Sequence, residues 1–206
     1  MVPATPQPVP ASSGSARLWL RAGAAALWLT LVVVGLAQLW SYGAASAQPA
    51  QAPTHWPDAC DIERDPSKPT LLVFAHPHCP CTRATISELD RIAARCHGEV
   101  SIVVLFILPP AMDDEWAKGE RWRAAAAIPN VVVRLDREGA DATRFGARTS
   151  GQTLLYDRRG ELVFAGGVTA SRGHAGDNPG ATAVIAFARD GRAPRSSTPV
   201  FGCELL

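Results

Sequence analysis

The chain has 206 residues, with 20 Lys and Arg against 19 Asp and Glu and a formal charge of +1. Its pI near 7.7, with no basic cluster interleaved with aromatics, argues against a polyanion partner, nucleic acid included. The length suits one ordinary domain plus appendages.

Residues 1–16 are rich in Pro, Ser and Ala and read as a disordered cytoplasmic tail. Segment 17–47 reads as a membrane anchor. Within it, Ala22 to Tyr42 carries no charge and is mostly apolar. As a helix rising ~1.5 Å per residue, that run just spans a hydrocarbon core of about 30 Å. Arg17 and Arg21 precede it, and no Lys or Arg follows until Arg64. Positive residues stay on the cytoplasmic side, so the remainder is expected outside, in the periplasm or an equivalent space. The competing reading is a signal peptide cut after Ala45-Ser46-Ala47. Either way the rest of the chain lies in an oxidising compartment where disulfides persist. Segment 48–67 is proline-rich and reads as a linker.

The globular part is expected over 68–192. Strands are predicted at Thr70–Ala75, Val100–Leu108, Val131–Leu135, Thr153–Tyr156 and Leu162–Gly166. Helices are predicted at Cys81–Cys96, Glu115–Ala127, Asp141–Phe145 and Gly180–Arg189. Asp113, Asp114 and Glu115 mark a helix start. Tyr156 to Glu161 reads as a hairpin turn between the last two strands. Early β-α-β alternation implies a parallel crossover, and the hairpin implies antiparallel strands. The fold class is therefore α/β, a mixed central sheet flanked by helices, with residues 193–206 as a tail.

The motif that carries chemistry is His76-Pro77-His78-Cys79-Pro80-Cys81-Thr82, placed where the first strand hands over to a helix. Free N–H groups at a helix start stabilise a thiolate. With Pro80 at the first helical position, Cys79 falls near the N-cap, within reach of the N–H groups of Cys81 and Thr82. That makes Cys79 the nucleophile candidate, with His78 and Thr82 modulating it. Cys81, or else Cys203, would resolve the intermediate. A Cys79–Cys81 bond would close a small, strained and readily reduced ring.

Five cysteines are an odd number. Cys96, ten residues after Ile86 on the apolar side of the helix, reads as a buried hydrophobe or as a partner of Cys60. Cys203 either folds back toward the motif or pairs with Cys60. A second class of reading takes His76, His78, Cys79 and Cys81, with His174 or Cys203, as soft ligands for copper or zinc. A third is a non-catalytic interaction module, since fold alone does not fix function. No organic cofactor is implied. Gly166 to Gly180 holds five glycines without a nucleotide-binding pattern. Asp177 or Asn178 reads as an N-cap there, and Arg172 and His174 as loop residues open to a functional role.

The order of elements, the thiols at the first strand-to-helix junction and the closing hairpin resemble the thioredoxin fold over about 68–192. Within it the chain is similar to membrane-anchored, TlpA-like periplasmic thioredoxins. More narrowly it looks like RedB-type proteins, on His76 to Cys81, Thr149 to Gln152, Gly166 to His174 and Phe201-Gly202-Cys203. The resemblance implies a thiol–disulfide oxidoreductase acting on a protein thiol or disulfide. It also implies two departures. The family's Cys-x-x-Cys is shortened to Cys79-Pro80-Cys81, with Thr82 in the place of the second thiol. The family's cis-proline facing the thiols is replaced by Gly151, which needs no cis bond, alters the loop that helps hold a substrate peptide, and is expected to leave the Cys79 face more open, giving a poor general disulfide reductase that tolerates metal at Cys79 and Cys81.

Overall fold

The computed structural model describes residues 13–47, 51–58 and 60–205. The chain divides into two units, Met1–Gly43 and Ala44–Leu206. In the first, helix α1 runs Ser13–Ala44. Its stretch Ser15–Ala44 has a mean hydropathy of 1.9 and is long and apolar enough to cross a membrane. The disordered tail expected over 1–16 falls mostly on residues 1–12, outside the described residues; from Ser13 onward the chain is helical.

The second unit is built on β1 (Thr70–Ala75), α2 (Thr82–Cys96), β2 (Ser101–Leu108), α3 (Asp114–Ala117), α4 (Glu120–Ala126), β3 (Val131–Arg137), α5 (Ala140–Arg144), β4 (Gln152–Tyr156), β5 (Leu162–Gly167) and α6 (Pro179–Asp190). The five strands form one sheet in the order β3-β2-β1-β4-β5. β1, β2 and β3 are parallel, β4 is antiparallel to β1, and β5 is antiparallel to β4. This is the mixed, thioredoxin-like sheet. β1 is central and buried at all six positions, which is why it reads as an unbroken apolar run.

Alternate residues of each strand face opposite sides of the sheet. Leu71, Val73, Ile102 and Val104 pack under α2, α4 and α6, with Ile86, Leu89, Ile92 and Cys96. Leu72, Phe74, Val103 and Leu105 pack on the other face, with Ala142, Phe145 and Tyr156. α2 stops where His97 turns left-handed at φ 48°. The single helix expected over Glu115–Ala127 is two, α3 and α4, because the backbone leaves helical geometry at Lys118 and restarts from extended Gly119.

Two segments differ from expectation. The linker expected over 48–67 has residues 48–50 and Ala59 outside the described residues; most of the remainder packs on the domain. Trp56 lies edge-on to Phe145 and Tyr156, each at 5.2 Å, and Ile62 is buried in the second cluster. The backbone of Thr54 accepts from Leu162 N–H at 2.8 Å, and Trp56 N–H donates to Gly160 at 2.7 Å. The tail expected over 193–206, whose last residue lies outside the described residues, is likewise a docked strap. Ala165 N–H donates to Ser196 at 2.9 Å, Ala47 N–H donates to Val200 at 2.8 Å, and Val200, Phe201 and Leu205 are buried.

Candidate active site

The site grows from the end of β1. After Ala75 the chain turns through His76–Cys81, and Cys79 N–H donates back to the His76 carbonyl at 3.2 Å. Thr82 N–H donates to the Cys79 carbonyl at 3.1 Å, closing one turn before α2 proper. Cys81 occupies the N-cap position, so regular helix begins one residue later than the expected Cys81. Cys79 nonetheless sits at the mouth of that first turn.

Its sulfur collects donors. Burial raises the Cys79 pKa, but the Cys203 thiol, the Cys203 N–H and the N–H groups of Cys81 and Thr82 outweigh burial and hold it below 9.0. The thiols beside it move the other way. Burial, the Cys79 charge and the Cys79 hydrogen bond push Cys81 up, against Gly173 N–H and Arg172. Burial and the Cys79 sulfur push Cys203 up to about 11. One thiolate is thus favoured among three clustered sulfurs, and it belongs to Cys79.

Thr82, in the place of a second motif thiol, does structural work. Its hydroxyl donates to the His76 carbonyl at 3.0 Å. That uses the only Thr82 hydroxyl proton, so the Ser150 hydroxyl, which accepts from His76 N–H at 2.9 Å, is the donor to Thr82 Oγ1, also at 2.9 Å. This buried bridge ties the thiol loop to the turn before β4. In that turn Gly151 has φ 89° and donates its N–H to the Phe74 carbonyl at 2.7 Å. An added Cβ would lie 3.1 Å from Thr85 Oγ1 in a conformation L side chains avoid, so the position suits glycine. No cis peptide occurs among the described residues.

The expected opening of the Cys79 face is not seen. Cys79 is 1% exposed and Cys81 8%. The strap fills the space, with the Phe201 carbonyl beside Gly151 and Cys203 against Cys79.

The histidines lie to one side. His78 N–H donates to His76 Nδ1 at 3.1 Å, and His78 Nε2 donates to the Trp116 carbonyl at 3.1 Å. The Trp116 ring sits 4.6 Å from His78 and 5.6 Å from His76. Arg121 holds the Pro77 carbonyl at 3.0 Å. Burial, His78 and Arg121 keep the His76 pKa below its ordinary value, which suits Nδ1 as an acceptor. One ring nitrogen of each histidine is thus engaged by a protein partner. Among the described residues no group of three or more His, Cys, Asp or Glu converges for a metal. His78 points to Trp116, and the donors that lower the Cys79 pKa are Cys203, Cys81 and Thr82 instead.

Sequence reasoning named Cys203 and Arg172 only as open options. Arg172 Nη1 donates to the Gly202 carbonyl at 2.8 Å and so holds the strap. Its loop is anchored by buried Glu88, which accepts from Gly176 N–H at 2.7 Å and from Asn178 Nδ2 at 3.1 Å. Asn178 is the N-cap of α6, while His174 is exposed. Ser150, Trp116 and Arg121 were missed; an isolated serine or arginine carries no spacing signal. Cys60 packs in the cluster on one face of the sheet and Cys96 in the cluster on the other, so they cannot pair without unfolding.

No family model matches this chain, and no curated protein matches it. Solved structures do. An uncharacterized conserved protein from Geobacillus kaustophilus shares 21% identity over 79% of this chain and 90% of its own, with a TM-score of 0.55. A hypothetical protein from Sinorhizobium meliloti shares 18% over 79% and 96%, with a TM-score of 0.54. These likenesses establish the fold. A secreted Mycobacterium tuberculosis disulfide oxidoreductase homologous to E. coli DsbE shares 22% over 47% of this chain and 66% of its own, with a TM-score of only 0.39.

Proposed function

We propose that this chain is a membrane-anchored thiol–disulfide oxidoreductase whose attacking group is Cys79, of the TlpA-like, RedB-type kind that its motifs resemble. The observation that carries the reading is the Cys79 sulfur itself: buried, yet held below its ordinary pKa by the Cys203 thiol and N–H and by the N–H groups of Cys81 and Thr82 at a helix start. A buried structural cysteine shows the reverse, as Cys96 does, where burial alone lifts the pKa to about 11. The N-terminal anchor and the Arg17 and Arg21 bias support placing the domain outside the cytoplasm, with a protein thiol or disulfide as substrate.

The test is the far-ultraviolet absorbance of thiolate against pH for the full chain in detergent. A thiolate should appear below the ordinary cysteine range and vanish in Cys79→Ser. Loss of that phase in Cys81→Ser instead would move the nucleophile. A chain with no such phase would not be an oxidoreductase of this kind. For orientation, a reporter fused after Leu206 should behave as extracytoplasmic.

A further inference from the structure

The strap over the thiols is docked residue by residue. The Cys203 carbonyl accepts from Ser150 N–H at 2.8 Å, and Leu205 N–H donates to the Arg148 carbonyl at 2.9 Å. Thr149 and Glu204 pair as an antiparallel bridge. Gly202 presses so closely on the Ser150 carbonyl that any Cβ would overlap it, and Arg172 grips the Gly202 carbonyl at 2.8 Å. Buried Phe201 and Leu205 bracket Cys203 on either side. Ser150 also bonds His76 N–H and Thr82, so one residue registers both the strap and the thiol loop.

We propose that Cys203 is the redox partner of Cys79, so that the working disulfide joins the motif to the strap and Cys81 remains a thiol. This rests on the reading of Cys79 as the attacking group. Geometry favours Cys203 over Cys81 in three ways. Cys81 is committed to the helix start: its backbone is in the right-handed helical region, and its carbonyl accepts from Ala84 N–H at 3.0 Å and Thr85 N–H at 3.2 Å. A Cys79–Cys81 bond must also close across Pro80 alone, whose φ is fixed, while bringing two Cβ atoms to about 3.8 Å. Cys203 arrives on a separate segment, so its bond with Cys79 closes no small ring. Finally, Thr82 fills the longer motif's second thiol position with a hydroxyl that cannot resolve anything.

The reaction balances with a disulfide substrate R–S–S–R′ as oxidant. The Cys79 thiolate attacks one sulfur, forming Cys79–S–S–R and releasing R′–S⁻. That thiolate takes the Cys203 proton. The Cys203 sulfur then attacks Cys79 Sγ and expels R–S⁻, which is protonated from solvent. One substrate S–S bond is broken and one Cys79–Cys203 bond is made; the substrate gains two electrons and the protein loses two. Cys203 is timed for its turn. After burial, the Cys79 sulfur does most to hold its proton on, with Cys81 adding less, and the Cys79 share ends once Cys79 is in a mixed disulfide.

The full chain in detergent micelles is reduced, exposed to oxidised glutathione, quenched with N-ethylmaleimide and cut with trypsin. Cys79 and Cys81 lie on one fragment, Asp65–Arg83, and Cys203 on another, Ser196–Leu206. The expected main product is the two fragments joined, retained in Cys81→Ser and absent in Cys79→Ser. In Cys203→Ser, glutathione should remain on Cys79 and leave at least about tenfold more slowly. A disulfide internal to Asp65–Arg83 in the unmodified chain, or joined fragments that survive Cys79→Ser, overturns the proposal while leaving the oxidoreductase reading in place. A Cys79 that forms neither a protein disulfide nor a glutathione adduct overturns both.

Discussion

Replacing Gly202 by alanine asks whether the strap sets the state of Cys79. The new Cβ would overlap the Ser150 carbonyl oxygen, with the carbonyl carbon at 2.9 Å and Thr149 Cγ2 at 3.3 Å. The obstacle is backbone, so the strap has to retreat, by about 1 Å or more, toward ordinary contact distances. That stretches the Ser150–Cys203 and Arg172–Gly202 bonds, both 2.8 Å, beyond hydrogen-bonding range. At about 1 kcal/mol net per bond the variant loses about 2 kcal/mol. The same retreat removes the Cys203 thiol and N–H from Cys79, leaving burial opposed mainly by Cys81 and Thr82. In Gly202→Ala the Cys79 thiolate should therefore appear at higher pH than in the parent, with faster amide exchange at Ser150 and Leu205. If exchange shows that the strap has moved while the thiolate titration stays in place, Cys203 does not control Cys79 and the reasoning fails.

Ser150→Ala removes the acceptor of the half-buried His76 N–H and a buried partner of Thr82, which should cost about 1–3 kcal/mol in chemical denaturation; an unchanged midpoint would show the bridge to be idle. Trp56→Ala removes two edge-on ring pairs and should cost about 2 kcal/mol, a loss that a free linker would not show. Cys96 is held protonated in the fold, from 9.0 to about 11, so its contribution is complete below pH 9 and is lost as pH rises through about 11. At about 1.4 kcal/mol per pH unit this is about 3 kcal/mol, and Cys96→Ala should flatten that part of the alkaline unfolding curve; an equally steep curve in the variant would rule it out.

β1, the β4–β5 hairpin, α2 and α6 were legible because each is specified locally, by an apolar run, a turn signal or a helical period. The thiol motif was legible for the same reason. What escaped is made by contacts distant in sequence. Residues 51–58 and 60–64 and the strap carry prolines, form no helix or named strand and show no period, so they read as linker and tail. Two signs of docking were present all the same. Val200, Phe201 and Leu205 are apolar in a supposed tail, and Trp56 and Ile62 are apolar in a supposed linker. The split between α3 and α4 was marked by Gly119. The partner of Cys79 was not legible, since the count of cysteines constrains pairing but says nothing about direction.

The strap also bears on solubility. β5 is the last strand on its side of the sheet, so its outer backbone would otherwise stand unpaired. Ser196 and Ser197 run parallel beside Ala165, and the Thr198 hydroxyl donates to the Gly167 carbonyl at 2.8 Å. Gly166 and Gly167 offer no side chain, which lets Thr198 and Pro199 lie flat on them. At the opposite border, β3 is guarded differently, by the charges of Arg134 and Arg137. A chain cut after Arg195 would thus lose more than a thiol. It would present a bare glycine-rich border to other chains and invite strand-to-strand association, whereas Cys203→Ser keeps that border covered.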